Sequence, residues 1–292
     1  MDTPLFSSVI RLHALRDGLL PQTQGHFALA AFLDIVRQVD EDLAAVLHDR
    51  NARPTGTPAG RKPFTLSPLH GLPAPRQGEA RLRAGHECWL RVTLAGEALF
   101  GTFIHRFLRG EARPEIRLGA MTFGVSEVLT TPGSHPWAGY TTAEALLAEA
   151  RAEDTIALEF ASPFGFSLGD NRVEIMPRPE LLFGGLSKKW EQWCGLPLPA
   201  SVERDWLREN VLVSEWRMQS RMLRYDKQPQ VGSEGMAMFR LFNADTATLC
   251  ALNALADFAF YAGVGRKTTQ GMGQVRRLDR WTPPADDEDL VE

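Results

Sequence analysis

The stretch from Phe258 to Trp281 reads FAFYAGVGRKTTQGMGQVRRLDRW, and the order of its parts decides the architecture. Gly263 and Gly265 precede Arg266-Lys267-Thr268-Thr269, and Gly271 and Gly273 follow it. A basic, hydroxyl-rich centre between glycines is a composition that often holds phosphate. Before the loop, DTATLCALNALADFAFYAG carries apolar residues at helical spacing, with Asp245 placed to cap the helix. After it, GQVRRLDRW reads as a short strand. The order is helix, loop, strand. A dinucleotide-binding GxGxxG follows a strand and opens a helix, and its third glycine would fall on Thr268. A P-loop needs GxxxxGK[ST] between strand and helix, and GVGRKTT lacks that spacing. Both nucleotide-binding classes are therefore set aside. The loop also follows the carboxyl end of a helix, where the dipole repels phosphate. Anion binding must come from turned-out amides and from Arg266 and Lys267. One glycine, Gly263, would suffice for a plain helix cap. Four around a basic centre favour a backbone that approaches a ligand closely.

Working outward from the loop, the same order of elements occurs twice. SSVIRLHAL reads as a strand, and LPQTQGHFALAAFLDIVRQVDEDLAAVLHDR as helix, with Asp40 capping a second segment. NARPTGTPAGR is a loop. KPFTLSPLHG and ECWLRVTLAG are strands, EALFGTFIHRFLRG is an amphipathic helix closed by Gly110, and IRLGAMTFGVSEVLTT is a strand. A connector with a short helix follows. Then TIALEFASPFGFSL, RPELLFGGLSKKWEQWCG, VLVSEWRMQSRMLRYDK, GMAMFRLFN, the capped helix and the last strand repeat the pattern. The prediction is an α+β chain of two tandem ferredoxin-like (βαββαβ, RRM-like) domains, at 1–132 and 154–285, with a connector at 133–153 and an acidic tail at 286–292. Fold alone leaves function open.

Bulk composition narrows the partners. The chain has 292 residues, 44% hydrophobic and 23% charged, as expected of a globular protein. Its net charge of −4 argues against a polyanion partner, but the last seven residues, DDEDLVE, hold five acids. Without them 32 basic residues face 31 acidic ones, so a nucleic-acid contact would be a local patch. Cys88, Cys194 and Cys250 lie far apart in apolar settings, which predicts buried thiols in the cytoplasm. No HExxH and no zinc-finger spacing occurs, so neither a dedicated metal site nor a cofactor is expected. No apolar run reaches the roughly 18 residues of a membrane span, and no membrane partner is expected.

Several stretches, taken in order, resemble one family. They are LHD, KPFTLSPL, LRVTLAGEAL, FASPFGF, MPRPELLFGGLSKKW and the glycine loop. Together they are similar to the sixth family of CRISPR-associated proteins, the endoribonucleases that process precursor CRISPR RNA within the repeat-associated mysterious protein superfamily. The glycine loop marks the superfamily, and the order of the other stretches narrows it to the processing nuclease. The resemblance implies metal-independent cleavage inside the repeat. The 2′-hydroxyl attacks its own phosphate, leaving a cyclic phosphate and a 5′-hydroxyl. Such chemistry needs a base, an acid and positive charge near the phosphorane, and histidine serves as either proton carrier.

By this resemblance His48, in LHD, is the catalytic histidine, and His26, before the same helix, is the reserve. Lys62 matches a lysine that stabilises charge, and Arg61 stands beside it. Leu33 falls where some relatives carry a tyrosine, so a single histidine with electrostatic help is expected. Of the other histidines, His13, His86 and His105 fall in strands or helices, and His70 and His135 sit beside turns. RNA binding is assigned to Gly263, Gly265, Arg266, Lys267, Thr268, Gly271 and Gly273, and to the basic run holding Arg217, Arg221, Arg224 and Lys227. On a strand Arg217 and Arg221 share a face, with Arg224 on the other. Trp216 and Tyr225 are base-stacking candidates, although core is the commoner place for such residues. The partners implied are CRISPR repeat RNA, other effector subunits and a second copy in a homodimer. The leading rival is a non-catalytic RNA-binding effector subunit of the same fold. A weaker one is a ferredoxin-like binding protein without RNA.

Overall fold

A computed structural model describes residues 2–48, 62–108, 114–199, 202–225 and 229–281. Arg61, Gly110, Lys227 and the acidic tail, all singled out from sequence, lie outside these residues.

The first half opens with β1 (Pro4–Ala14) and β2 (Gly18–Pro21), then α1 (Gly25–Arg37) and α2 (Glu41–His48). Asp40 separates the two helices as expected, its carboxylate accepting the Leu43 N–H at 2.8 Å. Next come β3 (Phe64–Leu66), β4 (Glu79–Leu82), β5 (Glu87–Ala95), α3 (Glu97–Leu108), β6 (Glu115–Leu118) and β7 (Met121–Leu129). The single strand expected over IRLGAMTFGVSEVLTT is thus a hairpin, turned at Gly119, whose φ is 59°. The connector holds β8 (Gly139–Thr142) as well as the expected short helix α4 (Ala143–Ala148), and β8 pairs with the first residues of β1. His86 lies in the turn before β5 rather than inside an element.

The second half runs β9 (Thr155–Phe164), β10 (Phe166–Gly169), β11 (Arg172–Glu174), α5 (Pro179–Cys194), α6 (Arg204–Asn210), β12 (Val211–Arg224), β13 (Pro229–Leu241), α7 (Thr246–Ala262), a 3-10 turn (Thr268–Gln270) and β14 (Val275–Arg277). Its sheet has the order β12-β13-β9-β14. The first sheet has β3-β5-β1-β7, with β6 added outside β7. In both, the first strand of the unit lies between its third and fourth strands. This is the ferredoxin-like arrangement, found twice as the element order predicts.

Each sheet is covered by its own helices over a separate core. In the first, Phe32 of α1 meets Phe64 of β3 with ring centroids 4.5 Å apart, and Phe103 and Phe123 are fully buried beside them. In the second, Trp190 of α5 meets Phe258 of α7 edge-on at 5.1 Å, above Phe160 and Phe239. Burying each such side chain stabilises by roughly 1.5–3 kcal/mol. β1 is buried on both faces: Ile10 and Leu12 join the first core, and Leu5 joins the second. The N-terminal strand therefore ties the two halves together.

Candidate nucleic-acid interface

The glycine loop starts where α7 ends. Asp245 caps the helix as predicted, accepting the Thr248 N–H at 2.8 Å. At the other end the chain leaves through Gly263, φ 62°. The four loop glycines have close neighbours of their own. A Cβ on Gly265 would stand 2.3 Å from the Gly165 carbonyl oxygen, and one on Gly273 would stand 2.0 Å from that of Val264. Gly271 sits against Pro68 of the PFTLSP stretch. The glycines let backbone pack on backbone inside the protein. Their number does not by itself demand a ligand.

The loop is also a seam. The Gln274 amide Nε2 donates to the Leu66 carbonyl at 3.2 Å, and its Oε1 accepts from Arg91 at 2.8 Å. The Gln274 backbone N–H donates to Ser162 Oγ at 2.9 Å. PFTLSP, LRVTLAG, FASPFGF and the glycine loop are the very stretches that carried the family resemblance, and they meet here. From the other side, the β12–β13 hairpin reaches the loop. The Tyr225 hydroxyl donates to the Gln270 carbonyl at 2.8 Å, and Lys267 Nζ lies 4.3 Å from the centre of its ring. Burial pushes the Tyr225 phenol up to about 12.

A groove of about 830 Å³ opens beside this seam. Lys62, Arg266, Lys267, Thr268 and Thr269 line it, together with the Gly263 and Gly265 backbone. The facing wall is α5, with Gly184, Gly185, Ser187 and Lys188, and the start of α6, with Arg204. Glu191 and Glu203 also line it. Glu180 and Lys189 border it too, but both are buried, Glu180 paired with Arg178 and Lys189 bonded to the Ala262 and Gly263 carbonyls. Five partly or fully exposed cations from four segments face two unburied acids here, a balance suited to an anionic chain.

The structure brings together only some of the residues chosen from sequence. Lys62, Gly263, Gly265, Arg266, Lys267 and Thr268 share the groove. His48 is exposed at the end of α2. His26 is half-buried at the start of α1, on the 3-10 turn side of the loop, where a Cβ on its neighbour Gly25 would meet the Gln270 carbonyl oxygen at 1.8 Å. Neither histidine is among the described lining residues of the groove. Arg217 and Arg221 lie on β12, outside that lining, and Arg221 is paired with Glu234 at 2.7 Å. Trp216 is half exposed rather than core. Leu33 packs against the first core.

Other positions of note carry no local sequence signal. Trp89 stacks on His70 at 3.8 Å and meets His135 edge-on at 4.8 Å. Burial, then the positive charges of Arg91 and His135, lower the His70 pKa to about 4. His70 is neutral at pH 7 and packs as an aromatic. Lys188, Arg204 and Arg91 likewise carry no local signal, because their neighbours come from distant parts of the chain. Among the described residues, no three His, Cys, Asp or Glu side chains gather into a metal-binding group.

Family models place this geometry. The model described as CRISPR Cas6 N-terminal domain matches residues 5–148, and that of CRISPR-associated endoribonuclease Cas6 matches residues 158–275. The chain belongs to the Cas6 family. Its members are CRISPR-associated endoribonucleases, so the seam and groove belong to an RNA endonuclease. Solved Cas6 structures are similar over almost the full length. The product complex of Cas6 (TTHB231) is 28% identical, covers 95% of this chain and 100% of its own, and has a TM-score of 0.77. The product complex of Cas6 (TTHA0078) is 29% identical over 94% and 99%, with a TM-score of 0.73. A further structure of Thermus thermophilus Cas6 (TTHB231) is 28% identical over 95% of this chain and 99% of its own, with a TM-score of 0.69. No curated protein sequence matches the chain significantly.

Proposed function

We propose that this Cas6 chain cuts precursor CRISPR RNA inside the repeat, without a metal ion, by attack of a 2′-hydroxyl on the adjacent phosphate. A base takes the 2′-hydroxyl proton as the oxygen bonds to phosphorus. The 5′-oxygen leaves with a proton from an acid, giving a cyclic phosphate and a 5′-hydroxyl. His48 is the proton carrier. Its exposed place at the end of α2 leaves the imidazole accessible to an RNA strand. Lys62, separated from it by 13 residues of sequence, stabilises the charged phosphorane. His26 is the alternative, supported by its position beside the glycine loop. One of the similar structures, of Cas6 (TTHA0078), is a mutant with a histidine exchanged for alanine.

The observation that carries the reading is the groove in which Lys62 meets the glycine loop. RNA phosphates run along it, held by Arg266, Lys267, Lys188 and Arg204 and by the loop backbone. Arg217 and Arg221 extend the contact along the hairpin. In this reading the chain divides at 133–153, with β8 of that segment attached to the first sheet. The deciding experiment is a gel assay with candidate repeat RNAs in EDTA. Cleavage with a cyclic-phosphate end supports the reading, and cleavage only on adding a divalent ion contradicts it.

A further inference from the structure

The carboxyl end of α7 should be a poor place for phosphate, because the last carbonyls of a helix carry negative charge. Here each of those carbonyls is met by a donor from outside the helix. Arg91 Nη2 donates to Phe260 O at 2.5 Å, and Thr93 Oγ1 to Tyr261 O at 2.6 Å. Lys189 Nζ donates to Ala262 O at 2.6 Å and to Gly263 O at 3.0 Å. Two of the three donors are cations, and both are buried, Arg91 at 1% exposure and Lys189 at 5%. They come from opposite sides, Arg91 from β5 of the first sheet and Lys189 from α5.

Arg91 has an unusual set of partners. Its Nε donates to Ser7 Oγ at 2.8 Å and its Nη1 to Gln274 Oε1 at 2.8 Å. The guanidinium lies 4.8 Å from the Trp137 ring centre and 4.1 Å from that of Phe260. Hydroxyl, amide, carbonyls and ring faces are all neutral acceptors. Burial lowers the Arg91 pKa to about 9, which still leaves it charged at neutral pH. A buried charge is costly unless something answers it, and the helix end answers this one.

We infer that Arg91 and Lys189 are positioning residues of the RNA groove: they neutralise the negative end of α7, so that the glycine loop springing from it can carry phosphates. The inference rests on the reading of the groove as the RNA site. It resolves the conflict between a loop suited to anions and a helix end that repels them. Arg91 lies outside the groove lining, and Lys189, which borders the groove, turns its ammonium to the Ala262 and Gly263 carbonyls. The phosphates are left to Arg266 and Lys267, further along the loop.

The test measures binding of a fluorescein-labelled repeat RNA by the full chain across a salt series. Lys189→Gln keeps an amide donor for a carbonyl but removes the charge. It is expected to weaken binding about five- to thirtyfold, the size of a charge effect at a partly buried helix end, while the slope of log K against log salt stays at the wild-type value. Lys189→Arg restores the affinity. Thr93→Val removes a neutral cap of the same helix end and leaves affinity unchanged. Lys267→Ala, a direct contact, lowers the slope by about 0.7. If Lys189→Gln binds like wild type, or Thr93→Val weakens binding equally, the charge role is overturned. If Lys267→Ala changes neither affinity nor slope, it is the groove reading that fails. Should Lys189→Gln not fold, Arg91→Gln carries the same comparison, and loss of folding in both, with Thr93→Val folded, marks the pair as structural rivets and overturns the inference.

Discussion

Lys267 of the glycine loop holds its ammonium 4.3 Å from the centre of the Tyr225 ring, whose hydroxyl donates to the Gln270 carbonyl at 2.8 Å. One side chain from the β12–β13 hairpin thus fixes both the backbone of the loop and the direction of its lysine. Tyr225→Phe keeps the ring and loses one hydrogen bond. Tyr225→Leu loses both, and with them a cation–π contact of about 0.5–2 kcal/mol. Repeat-RNA affinity should fall a few-fold further in the leucine variant than in the phenylalanine one. Equal affinities in a filter-binding assay would mean that the ring does not orient Lys267.

The groove cations should separate from one another by salt dependence. Alanine at Lys188 or Arg204, each on the wall facing the loop, should reduce the slope of log K against log salt by about 0.7. A slope unchanged in both variants would restrict the RNA path to the loop side.

The seam should dominate stability. Gln274→Leu strands an Arg91 donor and the Leu66 carbonyl inside the protein. Each buried unsatisfied group costs about 1–3 kcal/mol, so urea unfolding should shift to a clearly lower midpoint. A midpoint within error of wild type would show that the seam relaxes around the loss.

This seam also marks the limit of what the sequence discloses. Periodicity discloses α1, α3, α5 and α7, and side chains next to the chain they cap disclose the roles of Asp40 and Asp245. Those signals are local. Arg91 and Gln274 are 183 residues apart, and nothing near either one indicates the other. The same holds for the loop glycines, whose closest neighbours, Gly165 and Pro68, belong to other elements. A glycine cluster looks alike in sequence whether its open side faces a phosphate or another backbone. Lys62 was legible by resemblance and does reach the groove. Trp216, a base-stacking candidate at a place where core is commoner, is half exposed because β12 beyond Val213 is largely uncovered on both faces.

Stability should also fall in mild acid, through His70. Its folded pKa of about 4 lies below the ordinary 6.5, so between those values the unfolded chain binds the proton and the folded one does not. Stability is then complete above about pH 6.5 and declines as pH falls towards 4, by up to about 3 kcal/mol from this group. Arg91 and His135 face the ring and add to the effect. Urea unfolding at pH 7 and at pH 4.5 should give a smaller difference for His70→Gln than for wild type. The same pH dependence in both proteins would assign it to other groups.

In the proposed mechanism a histidine of the first half does the chemistry while the groove holds the RNA. The direct measurement is cleavage and binding of the repeat RNA in EDTA by wild type, His48→Ala and His26→Ala. The account predicts that His48→Ala loses cleavage by about 100-fold or more, as expected on removing a general acid or base, and binds RNA within a few-fold of wild type. His26→Ala should still cut. Full cleavage by His48→Ala would contradict the account, and loss of cleavage in His26→Ala alone would move the chemistry to the start of α1.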